Sequence, residues 1–434
     1  MVDNKMYQLQ KSQPLTLTIN NTCVTIKKSN YPKRIFSGIQ PTGNLHLGNY
    51  IGAIQKWVEL QNNGANVVWS IVDMHSITLP QDPNELYDNI LKMTATLLAC
   101  GIDPEKSILF QQSTVEMHSE LCWVLGCLTT LARLAHLPQF KEKSQTLNNV
   151  PLSLYIYPVL QAADILLYRA THVPVGRDQV QHIQLAQDLA IKFNKRFGDT
   201  FPVPHSLVND NASERIKSLR DPTKKMSKSS PDPKSRLDIL DEPDVLREKV
   251  KKAVTDCTPK VTYEPEKRPG VSNLVIIHSM LTGKSPSEIC SEVESLDTGK
   301  YKMVVADVII EKLTPIREEF SRLIKEPVYL RDVLKNGTER ATDIVYSIAA
   351  ASCNYLNHCI ANVPTPPEPP STRTLLFFLT AYALLKHKPP VIHNADHAVR
   401  PAYNILAASI SVKLLGFWLT YRYMLFILVF TTII

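Results

Sequence analysis

A short turn rich in glycine and polar residues is the first place in the sequence where chemistry could occur. Thr42–Tyr50 reads Thr-Gly-Asn-Leu-His-Leu-Gly-Asn-Tyr, follows an apolar run and precedes residues with helical spacing. Glycines in such a turn let a phosphate-bearing ligand approach the backbone, and the start of a helix favours negative charge. His46 and Asn49 could donate hydrogen bonds to phosphate or ribose. Taken alone, the pattern is better explained as an ordinary strand-to-helix turn.

A second candidate lies far along the chain, in a loop with closely spaced lysines. Asp221–Ser229 reads Asp-Pro-Thr-Lys-Lys-Met-Ser-Lys-Ser. Lys225 and Lys228 stand among hydroxyl-bearing residues, so their ammonium groups could hold the negative charge of a phosphate during its transfer. Alone, this segment is also typical of a solvated basic loop.

The elements that would position these two segments alternate between strands and helices. Apolar runs predict strands at Arg34–Ile39, Asn66–Val72 and Ser107–Phe110, and helical spacing predicts helices at Gly48–Leu60 and Glu85–Cys100. Strands that alternate with helices favour an α/β fold with a parallel sheet. The first motif then lies where the first strand turns into the first helix.

From about Pro243 the pattern changes to helices joined by polar loops. Apolar spacing predicts helices at Asp244–Thr255, Val271–Leu281, Tyr301–Lys325 and Val328–Ala350. This change indicates a separate all-helical domain. The predicted divisions are a leader (1–32), a Rossmann-like nucleotide-binding catalytic domain (33–242), an all-helical C-terminal domain (243–355) and an atypical tail (356–434).

The tail combines a proline-rich linker with apolar segments. Val363–Pro370 has the composition of a linker, and Leu375–Leu385 and Leu414–Ile434 are apolar, the second with one charge at Arg422. About 20 apolar residues can span a bilayer. An arginine in mid-span costs roughly 2.5–3.5 kcal/mol, so membrane contact of the tail is not the favoured interpretation.

Composition places the chain among globular proteins. Of its 434 residues, 44% are hydrophobic and 21% are charged, which suits two or three domains with a sizeable core. The net charge of +7 fits a polyanionic partner without requiring one. The eight cysteines are scattered without a C-x-x-C pair, which indicates buried thiols in a reducing compartment rather than a metal site or disulfides.

The first 34 residues are basic and poor in acids. They hold one acid, Asp3, together with several lysines, serines and threonines, and Arg34 is their only arginine. This composition suits an organellar transit peptide, although such peptides are usually rich in arginine, and a disordered leader is the alternative.

In this order and on this framework, the two motifs resemble the HIGH and KMSKS signatures of class I aminoacyl-tRNA synthetases, with HIGH present as His46–Asn49. The resemblance covers about residues 33–355 and is to tryptophanyl-tRNA synthetases of the bacterial and mitochondrial type. Four further segments carry it: Phe36–Gly43, Ile71–Thr78, Tyr157–Tyr168 and Val173–Gly176. Since Gln161 and the stretch Thr255–Pro265 look closest to mitochondrial members, we expect the mitochondrial matrix, with the cytoplasm as the alternative.

The resemblance implies activation of L-tryptophan with ATP and Mg²⁺, followed by transfer to tRNA-Trp. It gives catalytic roles in stabilising the phosphates to Lys225, Lys228, His46 and Asn49. It gives ATP contacts to Gln40, Pro41, Thr42, Gly48, Asn49, Gly176, Arg177, Asp178, Ile216, Lys225, Met226, Ser227, Lys228 and Ser229. Lys143 matches a third lysine of the same kind, with an exposed loop charge as the alternative.

For tryptophan, the resemblance implies a pocket marked by one acid. Its residues are Asp164, Phe36, Gly38, Gln40, His75, Val173, Val175 and Gln179. Asp164 is expected to accept the indole N–H, because a buried carboxylate that faces an apolar pocket needs such a donor. The alternatives are a helix-capping acid for Asp164, strand core for the two valines and a core histidine for His75.

The resemblance also implies a symmetric homodimer that tRNA bridges, with the helical domain on the anticodon arm. Basic residues available there for phosphate contacts include Arg317, Arg322, Lys325 and Lys335. No metal site is expected on the protein itself.

The sequence departs from the family pattern at three places. Arg177 stands where the family usually has glutamate, Asn148–Tyr155 lacks the usual Gly-Leu-Leu-Thr, and the tail matches nothing in the family. Three alternatives therefore stay open. They are a tyrosyl-tRNA synthetase, a small nucleotidyltransferase of the same superfamily, and a catalytically impaired form that only binds.

Overall fold

A five-stranded sheet, in which each strand is parallel to its neighbours, forms the framework of the molecule. The computed structural model describes residues 31–137, 149–208, 216–228 and 230–351, and the backbone of two strands before them. In chain order the strands are β1 (Thr16–Ile19), β2 (Thr22–Thr25), β3 (Arg34–Ile39), β4 (Asn66–Ile71), β5 (Ile108–Gln111), β6 (His172–Val175) and β7 (His205–Val208).

The order of strands in the sheet is β5-β4-β3-β6-β7. The chain moves outward from β3 through β4 to β5 and then returns to the other side of β3 for β6 and β7. The direction of winding therefore reverses between β3 and β6. In open parallel sheets, ligands bind in the crevice beyond the carboxyl ends of the strands at such a reversal.

Both faces of the sheet are buried, as expected for parallel strands. Alternate residues of β3 point to opposite faces, so Ile35 packs into one hydrophobic core while Phe36 packs into another. The predicted strand Arg34–Ile39 is confirmed at both ends, and the predicted strands at Asn66 and Ser107 are confirmed with shifts of one residue at their ends. The predicted α/β class with a parallel sheet is confirmed.

The helices of the part that contains the sheet pack over these two faces. They are α1 (Leu47–Asn49), α2 (Gln55–Asn62), α3 (Asp73–Ser76), α4 (Pro83–Ala99), α5 (Met117–Gly126), α6 (Leu131–Ala135), α7 (Leu152–Leu167) and α8 (Val180–Phe197). A π-helical turn at Tyr50–Ile54 joins α1 to α2. The predicted helix Gly48–Leu60 is thus confirmed as helical, with a widened turn in its middle.

The residues after Pro243 are helical, as predicted. Their helices are α9 (Pro243–Lys251), α10 (Pro269–Thr282), α11 (Pro286–Glu292), α12 (Thr298–Leu323) and α13 (Pro327–Ala351). Apolar residues of this part, such as Leu274 and Ile309, share one continuous core with Ile35 and Trp69 of the sheet. The described residues up to Ala351 accordingly belong to one compact unit, and the domain boundary at 242/243 stays a prediction.

Helix α13 closes the exposed edge of the sheet by packing directly on β5. A Cβ atom on Gly337 would overlap the carbonyl oxygen of Leu109, so only glycine permits this close approach. Next to it, the hydroxyls of Thr338 and Thr114 lie 2.6 Å apart, and Arg340 donates to the carbonyl of Ser107 at 3.2 Å. The last described helix is thereby fixed to the strand that precedes the turn at Gln112.

One sequence prediction needs correction, and one stays a prediction. The segment 1–32, predicted as a leader, contains an antiparallel hairpin of β1 and β2, in which Thr16 pairs with Thr25, and its role as a leader stays a prediction. The described cysteines are free thiols, but Cys127 and Cys257 are exposed rather than buried, because they lie at helix ends and in a loop.

Among the helices that the structure describes, none is both long and apolar enough to cross a membrane. The apolar segments of the tail, Leu375–Leu385 and Leu414–Ile434, lie outside the described residues. Within the same described ranges, no cluster of three or more His, Cys, Asp or Glu side chains could hold a metal ion.

Candidate active site

The turn after β3 is built around His46, which caps the helix that follows. Its Nδ1 accepts a hydrogen bond from the backbone N–H of Asn49 at 3.3 Å, and the side-chain oxygen of Asn49 accepts from the backbone N–H of His46 at 3.3 Å. This reciprocal capping fixes both side chains at the start of the helical run. Asn49 uses its oxygen here rather than its NH₂ group, which keeps the donor end for another partner.

The lysine loop is brought to this turn by a short antiparallel bridge. The backbone N–H of Leu47 donates to the carbonyl of Leu237 at 2.8 Å, and that of Ile239 donates to the carbonyl of Leu45 at 2.9 Å. Because Leu237 follows the loop by only a few residues, the bridge fixes the loop beside the turn. The ammonium of Lys228 then donates to the carbonyl of Thr42 at 3.0 Å.

The electrostatic environment keeps His46 neutral. Burial and the nearby positive charges of Lys228 and Lys225 lower the pKa of His46 to about 4. Since its Nδ1 accepts from Asn49, a neutral ring carries its proton on Nε2 and presents an N–H donor. Burial also lowers the pKa of Lys228 to about 8, although the charge of Asp238 acts in the opposite direction.

One cleft of about 1020 Å³ joins the two motifs to Asp164. It opens at the carboxyl ends of β3 and β6, where the winding of the sheet reverses. His46, Lys225 and Asp164 all line it. The two motifs, predicted from the sequence to act on one ligand, therefore lie in one cleft with Asp164.

Asp164 lies at the deep end of the cleft, 2% exposed, on α7. Its Oδ2 accepts from His75 Nε2 at 2.8 Å, and its Oδ1 accepts from Gln112 Nε2 at 2.8 Å and His118 Nδ1 at 2.6 Å. Burial acts to raise the pKa of Asp164, but the hydrogen bonds from His118 and His75 outweigh it and lower the pKa below its usual range. The carboxylate is therefore ionised.

Comparison with known proteins agrees with this geometry. The model of a family described as tRNA synthetases class I (W and Y) matches residues 27–314. The chain belongs to this family of class I tRNA synthetases.

Relatives in this family match the chain over most of their own length. The chain is 45% identical over 309 residues to a tryptophan–tRNA ligase of Caldanaerobacter subterraneus, a match that covers 71% of this chain and 93% of that protein. It is 44% identical over 312 residues to that of Bacillus anthracis, covering 72% and 94%. The crystal structure of tryptophanyl-tRNA synthetase from Campylobacter jejuni, complexed with ADP and tryptophan, is similar with a TM-score of 0.66 at 31% identity, covering 76% of this chain and 99% of that chain.

The residues expected to bind the amino acid lie together. All eight line the cleft: Phe36, Gly38, Gln40, His75, Asp164, Val173, Val175 and Gln179. Gly38 leaves room there, because a Cβ would lie 2.7 Å from a methyl of Val72. Of the two valines, Val173 is buried and Val175 is partly exposed, so both the core and the pocket interpretations describe them.

Eight of the fourteen residues expected to bind ATP line the cleft. Those that line the cleft are Gln40, Gly48, Asn49, Gly176, Arg177, Asp178, Lys225 and Ser227. The side chains of Ile216 and Met226 lie instead in the hydrophobic core, where the N–H of Met226 donates to the carbonyl of Ile216 at 3.2 Å. Pro41 is buried, and the carbonyl of Thr42 accepts a hydrogen bond from the ammonium of Lys228. Ser229 and Lys143 lie outside the described residues.

Sequence reasoning missed several residues of this family's cleft. Gln112 and His118 contact Asp164 from 52 and 46 residues away in the chain, so no local spacing announces them. Gln161 and Tyr157 line the cleft one and two helical turns from Asp164 on α7. Their spacing from Asp164 was a usable signal, since residues three or four apart share one face of a helix.

Proposed function

We propose that the chain is a tryptophan–tRNA ligase, which activates L-tryptophan with ATP and transfers it to tRNA-Trp. The observation that carries this proposal is the single cleft that is lined by His46 of the turn after β3, Lys225 of the lysine loop and the buried carboxylate of Asp164. The tryptophan–tRNA ligases that match over most of their length favour tryptophan over tyrosine as the substrate.

Activation joins the tryptophan carboxylate to the α-phosphorus of ATP, and the bond to the β-phosphate breaks to release pyrophosphate. The substrate is ATP with its Mg²⁺. Neutral His46 donates a hydrogen bond from Nε2, while Lys225 and Lys228 supply positive charge from the opposite side of the phosphates. Catalysis then consists of positioning and charge stabilisation, with no protein nucleophile.

Asp164 supplies the recognition of the indole. Its remaining acceptor position takes the indole N–H, while Phe36 and Val173 offer apolar contact to the ring. An ionised acceptor makes a stronger bond to N–H than a neutral one. Arg177 is exposed and lines the cleft, so its charge is available to the nucleotide.

The test is ATP–pyrophosphate exchange driven by tryptophan, with tyrosine in a parallel reaction. We expect exchange with tryptophan, and Asp164→Ala should raise the KM for tryptophan far more than that for ATP. Asp188→Ala is the matched control, since Asp188 is a partly buried carboxylate paired with Arg133 outside the cleft. Absence of exchange above background would reject activation and favour the form that only binds, whereas exchange with tyrosine alone would favour the tyrosyl enzyme.

The helical region is proposed to contact the anticodon arm of the tRNA. Arg322, Lys325 and Lys335 are exposed there and can make salt-dependent phosphate contacts. Arg317 is a poorer candidate than the sequence suggested, because its side chain is 11% exposed and donates to the carbonyl of Asp241 at 3.2 Å. Binding of tRNA-Trp to Lys325→Ala at several salt concentrations tests this assignment: a weaker affinity with a smaller salt slope supports it, and an unchanged one refutes it.

We also propose that two copies of the chain pair through the apolar surface of α5, α6 and α7. Trp123, Leu131 and Leu152 are 77%, 72% and 70% exposed there, which is unusual for large apolar side chains, and α7 packs against both α5 and α6. Sedimentation velocity of the full chain should give a dimer, and Trp123→Glu should shift it to monomer. A monomeric wild-type chain would refute this interface.

The basic, acid-poor N-terminal segment is proposed to direct the chain to the mitochondrial matrix. The support is its composition alone. Fusion of residues 1–32 to a fluorescent protein tests the proposal, with import into mitochondria as the expected result and diffuse cytoplasmic fluorescence as the contrary one.

A further inference from the structure

A second layer of buried side chains lies behind Asp164, away from the cleft. Gln112 and His118 are both fully buried, and both donate to Oδ1 of the carboxylate. The other ring nitrogen of His118 lies 2.8 Å from the hydroxyl of Tyr168, which is also fully buried. None of these three residues lines the cleft.

Three of the four acceptor positions of the Asp164 carboxylate are occupied by hydrogen bonds. Each carboxylate oxygen offers two lone pairs. Gln112 and His118 occupy both positions on Oδ1, and His75 occupies one on Oδ2. One position on Oδ2 is left at the end of the cleft.

The orientations of the donors are themselves fixed. The side-chain oxygen of Gln112 accepts from the backbone N–H of Met74 at 3.1 Å, which turns its NH₂ group toward Asp164. Burial and the charge of Asp164 raise the pKa of Tyr168, so its phenol keeps its proton and donates to His118 Nε2. A neutral His118 must then carry its own proton on Nδ1, where it faces the carboxylate.

We propose that Gln112, His118 and Tyr168 are positioning residues that set the selectivity for tryptophan, by holding Asp164 as a carboxylate with a single free acceptor position at the cleft. This inference rests on the proposed function. An indole N–H only donates, so it satisfies that position completely. A phenol oxygen would also need a donor, and the donors around Asp164 are already engaged, so a bound tyrosine would leave a buried acceptor unpaired.

The titratable side chains around Asp164 determine the electrostatic environment of its carboxylate. The titratable side chains that face it are His75 from α3, His118 and Cys122 from α5, and Tyr168 at the end of α7. Burial raises the pKa of Cys122 to about 11, followed by a smaller contribution from Asp164, so this thiol is neutral.

The test uses Tyr168→Phe in the full chain. This variant keeps the ring, which stacks on Phe36 at 5.5 Å, and removes only the hydroxyl that fixes the tautomer of His118. Without this donor to Nε2, the Nδ1–H of His118 is a weaker donor to Asp164, which raises the pKa of that carboxyl. We expect the KM for tryptophan to rise about tenfold, the loss of one buried hydrogen bond to a charged group, with the KM for ATP unchanged.

Two further readouts separate positioning from general damage. The acid limb of kcat/KM for tryptophan should move to higher pH in Tyr168→Phe, because Asp164 is then protonated more easily. The preference for tryptophan over its sulfur analogue β-(3-benzothienyl)alanine, which has no N–H donor, should fall by a similar factor. A preference and an acid limb identical to those of wild type would overturn the proposal.

Tyr301→Phe is the matched control. Tyr301 is another fully buried tyrosine whose hydroxyl lies near a histidine nitrogen, His278 Nδ1 at 3.4 Å, but in the helical region. It should leave the KM for tryptophan unchanged. If Tyr168→Phe does not fold, Gln112→Met removes one donor to Oδ1 and should give the same selective rise in KM, whereas equal rises for tryptophan and ATP would overturn the proposal.

The tautomer can be measured without activity. In the ¹⁵N NMR spectrum of wild type, His118 should carry a proton on Nδ1, and a ring protonated on Nε2 alone would overturn the proposal. Failure of wild type to exchange pyrophosphate at all would instead count against the proposed function, so the two failures are distinguishable.

Discussion

The unusual acidity of Lys228 makes a sharp prediction about pH. Burial lowers the pKa of its ammonium to about 8, and the opposing charge of Asp238 only partly restores it. The charged form binds the phosphates, so kcat/KM for ATP should be constant near neutral pH and fall above the pKa. With a pKa of about 8, roughly a tenth of the lysine stays charged at about pH 9, which corresponds to about a tenfold loss.

The assay is tryptophan-dependent ATP–pyrophosphate exchange between about pH 6.5 and about pH 9.5. In kcat, which reports the enzyme with its substrates bound, the basic limb should lie at higher pH, because the negative triphosphate favours the charged ammonium. A basic limb at higher pH in kcat than in kcat/KM for ATP indicates a lysine that binds the phosphates. A change of buffer or salt alone would move both limbs together.

Three variants test the assignment of the limb to Lys228. Lys228→Arg should remove the basic limb, since a guanidinium stays protonated throughout this range. Asp238→Asn should move the limb to lower pH, because the charge of Asp238 raises the pKa of Lys228. Lys224→Gln, at an exposed lysine in the same loop, should leave it in place. A flat wild-type profile, or a limb that persists in Lys228→Arg, would refute the reasoning.

Two predictions concern the folding of the framework. Gly337→Ala should lower the free energy of unfolding by about 1–3 kcal/mol in urea denaturation, because the added Cβ overlaps the carbonyl of Leu109. Gly126→Ala, where a Cβ meets open space, should be neutral or slightly stabilising, and equal losses would contradict the close approach of α13 to β5. Arg268→Lys should weaken the loop before α10, because Arg268 donates to both oxygens of Asp256 and the side-chain bond lowers the pKa of that carboxyl to about 2. A carboxyl whose pKa is lowered by folding contributes stability that is present above its unfolded pKa and lost as the pH falls toward 2. Thermal denaturation at several pH values measures this loss, which should be smaller in Arg268→Lys than in wild type. A loss of the same size in both would show that Asp256 is not the partner.

Local patterns of the sequence predict the framework well because they reflect local physics. Ile35 and Phe36 of the strand Arg34–Ile39 are buried on opposite faces of the sheet, so this short apolar run predicts the strand. The π-helical turn at Tyr50–Ile54 has no comparable signal, since an extra residue in a helical turn leaves the apolar spacing almost unchanged. Helix α11 was missed although Ser285 and Glu288 form a capping box, because its seven residues are too few for a clear period.

The site was predictable where a motif carries it and unpredictable where packing carries it. His46 and Lys225 belong to recognisable segments, and both line the cleft. Met226 belongs to the same segment, but its side chain is held in the core, because the strand-like backbone of the loop alternates its faces. Gln112 reaches Asp164 only because α13 and β4 fix the turn after β5, and that contact is a property of the assembled fold.

The bridge between Leu45 and Ile239 links the two halves of the phosphate site in one further way. It places Asp238 opposite His46, and Asp238 in turn bonds Arg236 at 3.2 Å. The same backbone contact that brings Lys228 to the turn therefore also supplies the acid that limits its loss of charge. A lysine buried enough to bind phosphate strongly, yet charged at neutral pH, needs both conditions, since burial strengthens its attraction to phosphate and at the same time disfavours its ammonium form. The carbonyl of Thr42 holds the ammonium with a neutral acceptor, and a phosphate oxygen that replaces it provides a charged one, so the binding of ATP and the protonation of Lys228 favour each other.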